Sequence, residues 1–162
     1  MPSFICWMRP ALRLAFLGAA SWASLRAQGN AVLSVQSGEK LTIQRGSTAD
    51  LKLRAQLQPG FHVNSNAPAD EYLIPLKLTW DKQPLEVQQI TYPKPEMEKY
   101  AFSQTPVSVF SGNFEILTRF KAPPTASPGL AIIAGKLRYQ ACNNKECLTP
   151  RTIDVRATVM IQ

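Results

Sequence analysis

Two cysteines, Cys142 and Cys147, stand near the end of the 162-residue chain, with Asn143, Asn144, Lys145 and Glu146 between them. A thiol pair at this spacing can bind a metal, lock a fold as a disulfide, or pass electrons by thiol–disulfide exchange. A zinc site needs two more ligands, and the single histidine, His62, cannot complete one. No metal and no cofactor is therefore expected. Exchange requires a thiolate, which nearby positive charge or hydrogen-bond donors stabilise. Lys145, Arg138 and Arg151 are candidates by proximity, or else ordinary solvated surface charges. Glu146, beside Cys147, works against a lowered thiol pKa. His62 offers a base, but its place between Phe61 and Val63 favours a hydrogen-bonded structural histidine.

The compartment bears on which chemistry is open. Residues 1–27 carry Arg9 and Arg13, then the apolar run 14–20, then small residues up to Ala27. That is the pattern of a secretory signal peptide, with cleavage expected after Ala27 or Ala23, leaving one domain over 28–162. The apolar run is too short to span a bilayer as a retained helix, so no stable membrane insertion is expected. Cys6 leaves with the signal. In an oxidising compartment the remaining pair is expected to form a disulfide. Losing the signal removes three of the 18 basic residues and none of the 11 acids, so net charge falls from +7 to +4. The remaining cations are interspersed with acids, as in 94–99. No basic stripe with interleaved aromatics appears, which leaves nucleic-acid binding without support.

The elements that must position the pair are short strands. Leu51, Leu53, Ala55 and Leu57 alternate with Lys52, Arg54 and Gln56, the period of a half-buried strand. Leu76, Leu78 and Trp80 repeat that pattern, as do Phe114, Ile116, Thr118 and Phe120. Pro59-Gly60 and Ser111-Gly112-Asn113 are turn signals. Residues 64–75 and 93–104 read as loops, the first about a dozen residues long, a length that often marks function. The last two strands are expected over 130–141 and 153–161. No window of ten residues shows helical periodicity. Eight or nine short strands between Pro, Gly and Asn turns predict an all-β fold, an immunoglobulin-like antiparallel β-sandwich.

With strands on either side, Cys142 and Cys147 fall at the two ends of a hairpin loop. Opposed residues of an antiparallel pair are close enough for a disulfide. Closing a loop of about six residues contributes roughly 2 kcal/mol in the chain-entropy model, and the hairpin already brings the ends together. The crosslink therefore has little stapling value, which tilts the pair towards chemistry without excluding a structural bond.

The segment Tyr-Gln-Ala-Cys at 139–142, followed by Cys-Leu-Thr-Pro at 147–150, resembles the N-terminal periplasmic domain of the DsbD thiol:disulfide interchange proteins. Asp70-Glu71-Tyr72 resembles that family's cap-loop segment, and Val109-Phe110-Ser111-Gly112 with Phe114 resembles its central strands. The resemblance implies a periplasmic domain whose Cys142 and Cys147 cycle between dithiol and disulfide. It implies that Cys147 is the sulfur engaged in mixed disulfides and Cys142 the resolving one. It further implies a cap loop whose aromatic, Tyr72, shields the pair, with Asp70 and Glu71 assisting proton transfer or tuning the thiol pKa. The partners it implies are thioredoxin-like envelope proteins and a separately encoded membrane electron carrier. On that reading the chain is a monomeric component of a protein-disulfide reductase system of the kind linked to cytochrome c biogenesis. Two features depart from the family pattern. The intercysteine loop has four residues where five are usual, and Leu73-Ile74-Pro75 stands where an aromatic–glycine pair is expected. The competing reading is a non-catalytic envelope binding or chaperone-like sandwich with a structural disulfide.

Overall fold

The computed structural model describes residues 31–37, 40–101 and 103–162. The expected signal segment and Cys6 lie outside the described residues. Twelve strands are present among the described residues: β1 (Leu33–Ser37), β2 (Leu41–Ile43), β3 (Thr48–Leu57), β4 (His62–Asn64), β5 (Lys77–Trp80), β6 (Glu86–Thr91), β7 (Glu96–Glu98), β8 (Val107–Ser111), β9 (Asn113–Lys121), β10 (Gly129–Tyr139), β11 (Ala141–Cys142) and β12 (Arg151–Ile161). Among the described residues no helix is long and apolar enough to cross a membrane.

The strands form three four-stranded sheets, in the orders β1-β3-β9-β6, β2-β12-β10-β5 and β11-β4-β8-β7. The first two are the layers of the sandwich. Alternation along β3 turns Leu51, Leu53, Ala55 and Leu57 inward, and β9 adds Ile116 and Phe120. From the other layer Ile133 and Leu137 of β10 meet them, with Val155, Ala157, Val159 and Ile161 of β12. Outward residues of the first layer pair off as Arg119–Asp50, Lys52–Glu115 and Arg54–Glu115. These exposed pairs add little stability. Among the described residues the strand pairings are antiparallel except β2 with β12, which is parallel. The architecture is the expected all-β immunoglobulin-like sandwich.

Trp80 ties the layers together. Its indole N–H donates to the buried Thr118 hydroxyl at 3.0 Å, and its ring meets Phe120 edge-on at 5.3 Å. Trp80→Phe keeps most of the apolar contact but deprives a buried hydroxyl of its partner. A stability loss of about 1–3 kcal/mol is expected, read as a lower urea midpoint at unchanged slope.

The third sheet is built from continuations of the first two. β3 turns at Pro59-Gly60 and resumes as β4. β8 becomes β9 at Gly112, whose φ of +59° favours a residue without Cβ. β10 becomes β11 at Gln140. Two sequence expectations are corrected here. The strand expected over 130–141 is interrupted: Gln140 belongs to no strand, and residues 141–142 join a different sheet. The loop expected over 93–104 contains β7, paired with β8 through Glu96↔Val109 and Glu98↔Val107. Prolines at 93 and 95 mask that short strand in the sequence.

Candidate functional site

The ladder of β10 and β12 runs without a break from Gly129↔Ile161 to Tyr139↔Arg151. Residues 140–150 therefore leave the main sandwich as an eleven-residue excursion, not the four-residue hairpin loop expected. Departure at Gln140 is fixed by the excursion's own hydrogen bonds. The Leu148 N–H donates to the Ala141 carbonyl at 2.8 Å, and the Gln140 side-chain amide donates to the Leu148 carbonyl at 3.1 Å. At the tip the Asn143 N–H donates to the Glu146 carbonyl at 2.9 Å, while the Asn143 carboxamide oxygen accepts from the N–H groups of Lys145 and Glu146. Asn143 thus makes the turn with its own side chain.

Cys142 and Cys147 face each other between these two hydrogen-bonded rungs and are joined by a disulfide. This is the non-hydrogen-bonded position of a small antiparallel ladder, where side chains lie closest, and the Cα atoms are 3.9 Å apart. The two sulfurs live in different surroundings. Cys142 is 0% exposed, whereas Cys147 is solvent-exposed.

Burial of Cys142 follows from the third sheet, which is covered on both faces. In register, Ala141 opposes Val63, and Val63 opposes Phe110. All three belong to the main core. The alternate row presents Cys142 opposite His62, and His62 opposite Ser111, on the other face. Asn64, Val109, Glu96 and Glu98 share that face by the same alternation. Tyr100 and Leu73 cover it, packed in a second cluster with Val107 and Val109 of β8. The Tyr100 ring stacks on His62 at 4.1 Å between centroids. Its hydroxyl donates to Glu98, and the Ser111 hydroxyl donates to Glu96 at 2.7 Å. Asn64 donates to the Ile74 carbonyl at 3.0 Å, and the Leu76 N–H donates to the Ser65 carbonyl at 3.1 Å, so both ends of the 65–76 loop are pinned to this sheet.

Burial pushes the His62 imidazolium pKa down, against a weaker upward pull from Glu98. Burial and the hydrogen bond to Glu98 raise the Tyr100 phenol well above its ordinary value. His62 is therefore held neutral in the folded chain. Its contribution to stability is complete above about pH 6.5, the ordinary histidine value, and is lost as pH falls from there through the lowered folded pKa. The urea midpoint is expected to drop in that window, with a slope of at most about 1.4 kcal/mol per pH unit from this one group. His62→Gln should flatten that part of the profile.

The 65–76 loop differs from the expectation for a cap. Tyr72 is 92% exposed, so its ring covers nothing in this conformation. The cause is local. The Asp70 carboxylate accepts from the Tyr72 N–H at 2.9 Å and the Asp70 carbonyl from the Leu73 N–H at 3.2 Å. The resulting turn points Tyr72 outward and Leu73 inward. Asp70 and Glu71 are exposed as well. The aromatic packed beside the cysteine row is Tyr100. Sequence reasoning missed it and Glu98, although the alternation of Glu96, Met97 and Glu98 before Tyr100 was a strand signal.

A family model described as the N-terminal part of the thiol:disulfide interchange protein DsbD matches residues 30–158. The chain belongs to the DsbD N-terminal domain family. Among solved structures, the N-terminal periplasmic domain of ScsB from Proteus mirabilis is similar at 20% identity, with a TM-score of 0.52, over 81% of this chain. The chain spans 49% of that structure's length. At this identity the likeness to ScsB speaks for the fold. Two further structures match at lower TM-scores. One is a family 123 glycoside hydrolase from Clostridium perfringens, at 14% identity and 0.33 over 82% of this chain and 27% of the other. The second is an aggregative adherence fimbrial structure of enteroaggregative Escherichia coli, at 11% and 0.38 over 82% of this chain and 100% of the other. No curated protein sequence matches. Within the DsbD N-terminal domain family this chain shows the disulfide on an excursion from the sandwich, with one cysteine buried and the other exposed.

Proposed function

We propose that this chain is a periplasmic thiol–disulfide exchange domain that relays electrons through Cys142 and Cys147 by mixed disulfides with thioredoxin-like proteins. The observation that carries the reading is the asymmetry of the disulfide, buried at Cys142 and exposed at Cys147. An incoming thiolate reaches the Cys147 sulfur. The S–S bond breaks, Cys142 leaves with the electron pair, and the partner is held on Cys147. Attack at Cys142 is blocked by the third sheet and its cover. That cover is Tyr100 with Leu73, in place of the Tyr72 cap implied by the resemblance. Asp70 and Glu71 keep a role only if the loop rearranges when a partner docks. The uninterrupted β10–β12 ladder already holds both ends of the excursion, so the bond is not required as a staple. The expected signal peptide and the periplasmic location of the ScsB domain support an envelope setting, with a membrane carrier as the electron source.

The test is electron transfer from a reduced thioredoxin-like protein to the oxidised chain. Stoichiometric appearance of two thiols in the chain is expected. A disulfide that stays closed after prolonged incubation would favour the structural-disulfide reading.

A further inference from the structure

We propose that His62 is the base that takes the proton from the Cys142 thiol when the disulfide closes and a reduced partner is released. This rests on the exchange reading above. The difficulty it resolves is chemical. A thiolate is the nucleophile, and a thiol buried away from water resists ionising. Cys147 is exposed and can lose its proton to solvent. Cys142 is 0% exposed and cannot do so directly.

The register supplies one titratable nitrogen base beside it. His62 is the Cα partner of Cys142 across the β4–β11 bridge, so their side chains leave the sheet on the same face as neighbours. The other groups on that face do not fit the role. Tyr100 stacks on His62, and its phenol keeps its proton far above neutrality. Glu98 already accepts the Tyr100 hydroxyl, and Glu96 accepts the Ser111 hydroxyl. Asn64, on the same strand, carries an amide. The cations named from the sequence lie elsewhere: Arg138 points out with Lys136 from β10, opposite to the buried Leu137, Lys145 is exposed at the excursion's tip, and Arg151 is exposed on β12 opposite Tyr139. Burial keeps His62 in its neutral, proton-accepting form near neutrality.

The step balances as follows. The partner is bound through a mixed disulfide to Cys147. Neutral His62 takes the Cys142 proton, and the thiolate's electron pair forms the bond to the Cys147 sulfur. The Cys147–partner bond breaks, its electron pair leaves on the partner sulfur, and that sulfur recovers a proton from the imidazolium through solvent. Cys142 and Cys147 together lose two electrons, and the partner disulfide gains them.

Stopped-flow oxidation of the reduced chain by the aromatic disulfide dithionitrobenzoate separates the events. The first thionitrobenzoate released reports attack by Cys147, and the second reports closure by Cys142. The wild-type second phase should rise with pH through a single ionisation below about 6.5 and then stay level to pH 8. His62→Gln should slow that phase about 100-fold at pH 7 and leave the first unchanged. Its rate should then climb towards the ordinary thiol range near 8.5. An equal second phase in the variant, or a wild-type rate that climbs to pH 8.5 with no plateau, would overturn the assignment. Should His62→Gln not fold, the wild-type profile alone decides. These results bear on the base only. A disulfide that no thioredoxin-like protein opens would instead strike the exchange reading.

Discussion

Cys142→Ser and Cys147→Ser are expected to behave oppositely towards an oxidised thioredoxin-like partner. Cys142→Ser leaves the exposed Cys147 thiol without a resolving neighbour, so a mixed disulfide should accumulate and persist. Cys147→Ser leaves one thiol, Cys142, buried beneath the third sheet. Its reaction requires local opening, whose free energy sets the reactive fraction. An opening cost of about 3 kcal/mol corresponds to a rate lower by more than 100-fold. The contrast is read on a non-reducing gel after quenching at equal times. Comparable trapping by both variants would mean that the burial difference has no kinetic meaning. Neither variant should unfold the chain, since the loop closed by the disulfide is small and its crosslink is worth about 2 kcal/mol at most.

Tyr100→Ala is expected to unmask Cys142. Tyr100 is nearly buried in the small cluster over the cysteine row and is stacked on His62. Burying an aromatic side chain contributes about 1.5–3 kcal/mol. Losing that from a local cover should raise the opening population by about 10- to 100-fold. The measurement is the rate of iodoacetamide alkylation of Cys142 in the Cys147→Ser background. Adding Tyr100→Ala should accelerate it by that factor. Adding Tyr72→Ala should leave it unchanged, because the Tyr72 ring is free of the cluster. The reverse order, with Tyr72 controlling the rate, would restore the cap expected from the sequence.

The core of the sandwich was legible because alternation in β3 and β9 maps directly onto burial. Each strand there has one face against the core and one against water. The third sheet was legible only in part: the strand through Val109-Phe110 was expected, but its pairing into a separate sheet was not. His62, Val63 and Asn64 are all buried, so β4 carries no alternation to read. Asn64, a polar residue on this doubly covered strand, therefore reads in the sequence as the start of the 64–75 loop. The cysteine pair was visible from residue type alone, but its setting was not. The strand expected over 130–141 carries no signal of its break at Gln140, and that break turns Cys142 under cover. Tyr72 drew attention as an aromatic in a long polar loop. The Asx turn at Asp70, which decides that Leu73 goes inward instead, depends on backbone geometry that spacing does not reveal.

The most direct test of the central claim is the reduction potential of the Cys142–Cys147 couple, measured by equilibration against a thioredoxin-like protein of known potential. A redox-active pair that exchanges with such partners should fall between about −270 and −180 mV. A value below about −300 mV would mark a structural disulfide and contradict the account.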